Sequence, residues 1–135
     1  MLTNRMWPCS AHDAFVTVSE YRCGAMEGYL THPRFGAPLP IKSISHLLRL
    51  LDQAQSLENV PYKPENYAGT VYENPNKIAS FTISVLFQQH HSLQGKLTWH
   101  EQAMEATFRS ALELIYLMDD ILTAKTDERE GMNHD

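Results

Sequence analysis

Cysteine is scarce in this sequence of 135 residues: Cys9 and Cys23 are the whole complement. Fourteen positions apart, they match no zinc or redox spacing, so they read as two reduced thiols of a cytoplasmic protein. Basic residues are also few, 11 Lys and Arg against 16 Asp and Glu, for a net charge of −5. Holding a nucleic-acid backbone without sequence preference takes clustered Lys and Arg, so the balance argues against that role for the chain as a whole. It also leaves no polybasic membrane anchor. No apolar run approaches the ~18 residues of a membrane span. The leader, residues 1–13, carries Arg5 but no apolar segment, and so is not a secretory signal. Gly-rich phosphate loops, Ser or Cys nucleophile motifs and a His-Glu-x-x-His helix are all missing. The expectation is therefore a protein that is not an enzyme and needs no cofactor.

What is there is a repeat. Sliding the sequence by 67 positions lays Ala14–Ser56 over Phe81–Thr123 without a gap, and eight of the 43 pairs are identical. These are Val18/Val85, Gly28/Gly95, Leu30/Leu97, Thr31/Thr98, Ser43/Ser110, Leu47/Leu114, Leu50/Leu117 and Asp52/Asp119. Chance pairing at ordinary residue frequencies gives roughly two or three. Self-similarity at a fixed offset points to a duplicated structural unit.

The second copy spells the unit out. Phe81, Ile83, Val85 and Phe87 alternate with mostly polar residues, the period of a strand with one buried face. A polar turn at residues 88–92 leads into Leu93, Gly95, Leu97 and Trp99, which alternate again and pair back as a hairpin. Met104, Ala106 and Phe108 give a third, shorter strand. Ser110 and Glu113 form the Ser-x-x-Glu capping box of a helix whose apolar positions run from Leu114 to Leu122. The first copy follows the same plan: strands at Ala14–Tyr21, Met26–His32 and Leu39–Lys42, then a helix capped by Ser43. The expected fold class is α+β: a tandem duplication of a βββα unit, antiparallel sheets with two helices packed on them. The expected organisation is a flexible leader over 1–13, a first unit over 14–56, a Pro- and Tyr-rich linker over 57–80, a second unit over 81–123 and a frayed tail over 124–135. Units of about 43 residues are small for independent stability, so the two are expected to share one core and one domain.

The run Gln94-Gly95, Trp99 and Phe108-Arg109-Ser110-Ala111-Leu112-Glu113-Leu114, following a strand that ends in Gln88 or Gln89, resembles a pattern of small uncharacterised bacterial proteins. The resemblance covers about a third of the chain and implies a compact strand-and-helix unit, with no activity attached.

Candidate chemistry is thin. His90 and His91 fall in a turn, while His100 lies at the far end of the next strand, roughly 20 Å away, so no metal site is expected. His32, in the repeat position of Trp99, reads as a packing or surface residue. Asp52 and Asp119 match in the repeat and suggest a shared structural task, such as accepting a hydrogen bond from the sheet or the linker. Aromatic residues are the stronger signal. Tyr29, Phe35 and the linker residues Tyr62, Tyr67 and Tyr72, with Arg34 beside Phe35, are candidate interface anchors. Tyr116 falls off the apolar stripe of the second helix and joins them. The leading expectation is a macromolecule-binding or regulatory protein whose partner is another protein or a second copy of itself, as a homodimer. A sharper version is an acidic inhibitor of a nucleic-acid enzyme, since residues 80–135 carry nine acidic and four basic side chains. Residues 1–56 are near neutral, with five basic and four acidic. An alternative is therefore nucleic-acid binding by the first unit through Arg22, Arg34, Lys42 and Arg49. Another is a small hydrolytic or ligand-binding site between the units.

Overall fold

The computed structural model describes residues 2–3, 13–32, 35, 37–56, 71–72, 76–89 and 92–132. Strands β1 (Leu2–Thr3), β2 (Asp13–Arg22), β3 (Ala25–Thr31) and β4 (Leu39–Ser43) precede helix α1 (Ile44–Ser56). Strands β5 (Val71–Tyr72), β6 (Ala79–Gln89), β7 (Ser92–Trp99) and β8 (Met104–Phe108) precede helix α2 (Ala111–Met132). The chain is α+β: the described residues form one six-stranded antiparallel sheet in the order β4-β3-β2-β6-β7-β8 and two helices. The separate sheets expected from the sequence are one sheet, because β2 and β6 pair from Asp13↔Ser84 to Val18↔Ala79.

Alternation along the strands turns one face of this sheet to the helices. Cross-strand partners share a face, and the register aligns Leu39, Leu30, Val16, Phe81, Trp99 and Met104 in one row across all six strands. The middle of the row is fully buried and packs with Leu47 and Leu51 of α1 and Leu114, Met118 and Leu122 of α2. Each such side chain contributes roughly 1.5–3 kcal/mol by leaving water. At its β8 end the row runs out of cover, and Met104 stays 58 % exposed.

Helix starts follow the predicted caps. Ser43 Oγ accepts from the His46 N–H at 3.0 Å, and Ser110 Oγ accepts from the Glu113 N–H at 3.2 Å. Glu113 reaches back one residue further than a standard capping box, accepting from the Arg109 N–H at 2.6 Å. In the β2–β3 turn, Cys23 (φ 49°) and Gly24 (φ 89°) both take the left-handed conformation of a tight hairpin.

Three boundaries differ from the sequence expectation. Leu2–Thr3 of the leader pairs with Val71–Tyr72 of the linker in a small antiparallel ladder, so both segments carry some regular structure. Ala79 and Ser80 belong to β6, because they continue its pairing with β2. The third correction is the tail: α2 continues past Ala124 to Met132. Two contacts hold that extension to the sheet, the Thr126 hydroxyl donating to the Tyr21 carbonyl at 3.3 Å and Lys125 lying 5.6 Å over the Trp99 ring, and within it Lys125 pairs with Glu128 at 3.4 Å. Among the described residues no helix is long and apolar enough to cross a membrane.

Candidate functional site

The later turns of α2 pack on β2 near the β2–β3 hairpin, where an open groove of about 620 Å³ lies. It is lined by Ser19, Glu20, Tyr21 and Arg22 of β2, Ala25, Met26 and Glu27 of β3, Lys42 of β4, Thr126 of α2, and Ile78. One of its lining residues, Tyr21, donates a hydrogen bond from its hydroxyl to Asp119 of α2. Thr123 donates to the same carboxylate at 3.5 Å. Asp119 thus accepts a hydrogen bond from the sheet, while its repeat counterpart Asp52 is exposed on α1. Burial first, then the hydrogen bond to Asp119 and its charge, push the Tyr21 phenol up to about 12.

The groove gathers two of the four residues considered for nucleic acid, Arg22 and Lys42. Arg49 is exposed on α1 and does not line it, and Arg34 lies outside the described residues. Glu20 and Glu27 share the groove with the two cations, so its formal charge is balanced and it forms no basic track for a phosphate backbone.

The candidate aromatic anchors are dispersed. Tyr29 is half-buried on the sheet face away from the helices, opposite Thr17 and Pro40. Phe35 is half-buried as well: its ring sits 5.6 Å from that of His32, its N–H donates to the His32 carbonyl at 3.0 Å, and it packs against the core. His32 is 2 % exposed, so of the packing and surface roles its repeat position allows it takes the first. Tyr62 and Tyr67 lie outside the described residues. Tyr72 sits in β5 opposite Leu2, on a strand that lies against β3.

Two features escaped the sequence reading. The first is a polar cluster on the sheet face away from the helices, where the 3-10 turn His100–Gln102 folds back over β6. Glu101 accepts from the Ser80 N–H at 2.7 Å and from its hydroxyl, while His100 Nε2 lies 2.7 Å from the Thr82 hydroxyl and its ring 5.5 Å from that of Phe15. A hydroxyl this close to an imidazole has the reach of a nucleophile and its base. Here, however, the carboxylate holds Ser80 rather than His100, and the geometry is that of a clasp on a buried strand. The signal was available in Ser80 and Thr82, polar residues alternating with core residues, followed by His100-Glu101 after the next strand.

The second feature is an apolar surface at the far edge of the sheet. Among the described residues the exposed large hydrophobics are Met104 at 58 %, Leu112 at 54 % and Tyr116 at 60 %. Leu112 and Tyr116 are four residues apart, one turn of α2, and α2 packs on β8, which carries Met104. Tyr116 was legible as an off-stripe residue, whereas Met104 reads as core until β8 is known to be the edge. Further along the outward face of α2 come Asp120, Thr123 and Asp127, all exposed.

No protein-family model, curated protein or solved structure matches this chain.

Proposed function

We propose that the chain is a non-enzymatic cytoplasmic protein that acts by binding another protein, and that its partner surface is the acidic outward face of α2. The observation that carries this reading is the line of Asp120, Thr123 and Asp127 along one exposed stripe of a helix anchored at its end to the sheet. Rigid presentation lowers the ordering cost of binding. Two carboxylates on one exposed face suit a basic partner surface and steer its approach, which is the behaviour of an acidic inhibitor of a nucleic-acid enzyme. Cys23, an exposed free thiol, suits a reducing compartment.

The scaffold is read as a tandem duplication of a βββα unit, and the 67-residue offset supports this in several places. It relates the bulge between Val18 and Glu20 to that between Val85 and Phe87. It relates Gly28 against Thr17 to Gly95 against Ser84, and the cap at Ser43 to the cap at Ser110.

The test is capture from the native host on the immobilised full chain, with mass spectrometry, comparing wild type with an Asp120→Asn, Asp127→Asn variant. A captured basic protein should be lost from the variant and should elute progressively between low and physiological salt. Capture indifferent to both changes, or turnover in an unbiased metabolite screen, would sink the reading.

The groove favours a second reading, a small-ligand site. Its volume falls within the roughly 300–1,000 Å³ of ordinary ligand pockets, and its paired charges suit a small zwitterion. Arg22→Ala should then weaken binding of a hit from an amino-acid and small-metabolite panel by at least about tenfold, and a blank panel would remove this alternative.

A further inference from the structure

We infer that the chain forms a closed dimer by pairing β8 with β8 of a second copy. The six-stranded sheet has two edges, and they are not alike. On β4 the Lys42 N–H is turned away from β3 and donates to His46 Nδ1 at 3.3 Å, and the residue two positions before it, facing the same way, is Pro40, which has no N–H. Both donors that β4 would offer to another strand are thereby removed, a common way of closing an edge. β8 contains no proline, and Thr107 stands where β4 has Pro40, 67 positions earlier. Its residues are exposed except for half-buried Ala106 and buried Phe108, and among the described residues only β7 pairs with it. An open edge of this kind is a template for strand addition.

The occupant is identified by what would have to lie opposite. Antiparallel self-pairing centred on Ala106 sets Glu105 against the partner's Thr107, so no like charges face each other. Glu105 already pairs within its own chain with Lys96 at 3.6 Å. The same register sets Met104 against the partner's Phe108, three residues before the partner's α2 begins. The twofold axis of such a pair is perpendicular to the sheet and keeps both helix layers on one side. Met104, where the core row runs out, then meets the first turns of the partner's α2, which carry Leu112 and Tyr116. Three large side chains, each more than half exposed in one chain, converge on one seam. The acidic stretch at Asp120 and Asp127 lies further along α2, toward its contacts with β2, so the dimer stands apart from the partner reading and leaves that face open. Because β4 offers no donors, pairing β8 to β4 of another copy is blocked and the assembly closes at two.

A short strand and three side chains per copy bury about 1,000 Å² in total, the low end for specific interfaces, so the dissociation constant should be micromolar. Sedimentation velocity and light scattering of the full chain from ~1 to ~100 µM should show mass rising from 15.4 kDa to twice that value. Thr107→Pro should hold it monomeric across this range, a weakening of at least about 30-fold, while Thr107→Val, which keeps the N–H, should dimerise like wild type. If the proline variant does not fold, Met104→Ser with Leu112→Ser, both at exposed positions, should give the same loss with an unchanged melting temperature. Raising salt should leave the dimer intact, in contrast to the capture of a basic protein described above, so the two readings fail separately. A wild-type monomer at ~100 µM, a dimer unaffected by these variants, or assemblies larger than two would each overturn the inference.

Discussion

Gly95→Ala is expected to cost at least about 3–5 kcal/mol of folding free energy, a large part of the roughly 5–15 kcal/mol a domain of this size has. A Cβ at this position would lie 2.1 Å from the Ser84 carbonyl oxygen and 2.9 Å from the Phe108 ring. The first neighbour is backbone of β6 in the middle of the sheet, and the second is a fully buried side chain. Neither can move without breaking strand pairing or opening the core. Gly28→Ala should behave similarly, with its Cβ 2.1 Å from the Thr17 carbonyl oxygen of β2, and somewhat more mildly because no buried ring lies in the way. Urea unfolding of both variants provides the check. A loss below about 1 kcal/mol in either would contradict the β2–β3 and β6–β7 registers.

Alkaline pH should unfold the protein in a way that depends on one phenol. Tyr21 is held at about 12 by burial and by Asp119, against an ordinary value near 10. The folded state therefore binds this proton more tightly than the unfolded chain. The resulting stability, about 2–3 kcal/mol, is complete below pH ~10 and is lost as pH rises through ~12. Other tyrosines and lysines titrate in the same window, so the informative quantity is the difference between wild type and Tyr21→Phe. At neutral pH the Phe variant should be less stable by about 1.5–3 kcal/mol, because the Asp119 carboxylate loses its charge-assisted donor. That gap should shrink toward zero by pH ~12. Denaturant unfolding at intervals from pH 8 to 12 measures it, and a constant gap would show that the phenol and Asp119 are not coupled.

The strands and helices were legible because their periods are. Phe81, Ile83 and Val85 read as the buried side of a strand, and they are fully or almost fully buried on the helix face. Ser43 and Ser110 read as caps and serve as such, because a cap is a local hydrogen bond within four residues. The far end of α2 was not legible. Its last turns are held by Tyr21 and Trp99, which are far away in the chain, and residues 124–132 carry no apolar stripe to announce that contact. The groove was invisible for the same reason: pairing of β3 with β2 and β4 brings Lys42 near Arg22, and α2 adds Thr126 only by packing on β2.

Scarcity of cysteine and of basic charge, together with the two periods and the 67-residue offset, determined by themselves an α+β protein whose net negative charge is concentrated in the second half. Local patterning can do that much, since alternation and capping involve neighbours a few residues apart. Which strands would be edges was decided only in three dimensions. β2 and β8 both read as strands with one apolar face, yet β2 pairs on both sides through β3 and β6 and is buried, while β8 ends the sheet. Its Met104, in the same row as Val16 and Phe81, is left in contact with solvent. Burial of a strand depends on what lies beside it, and that is a property of the assembled sheet rather than of any segment of the chain.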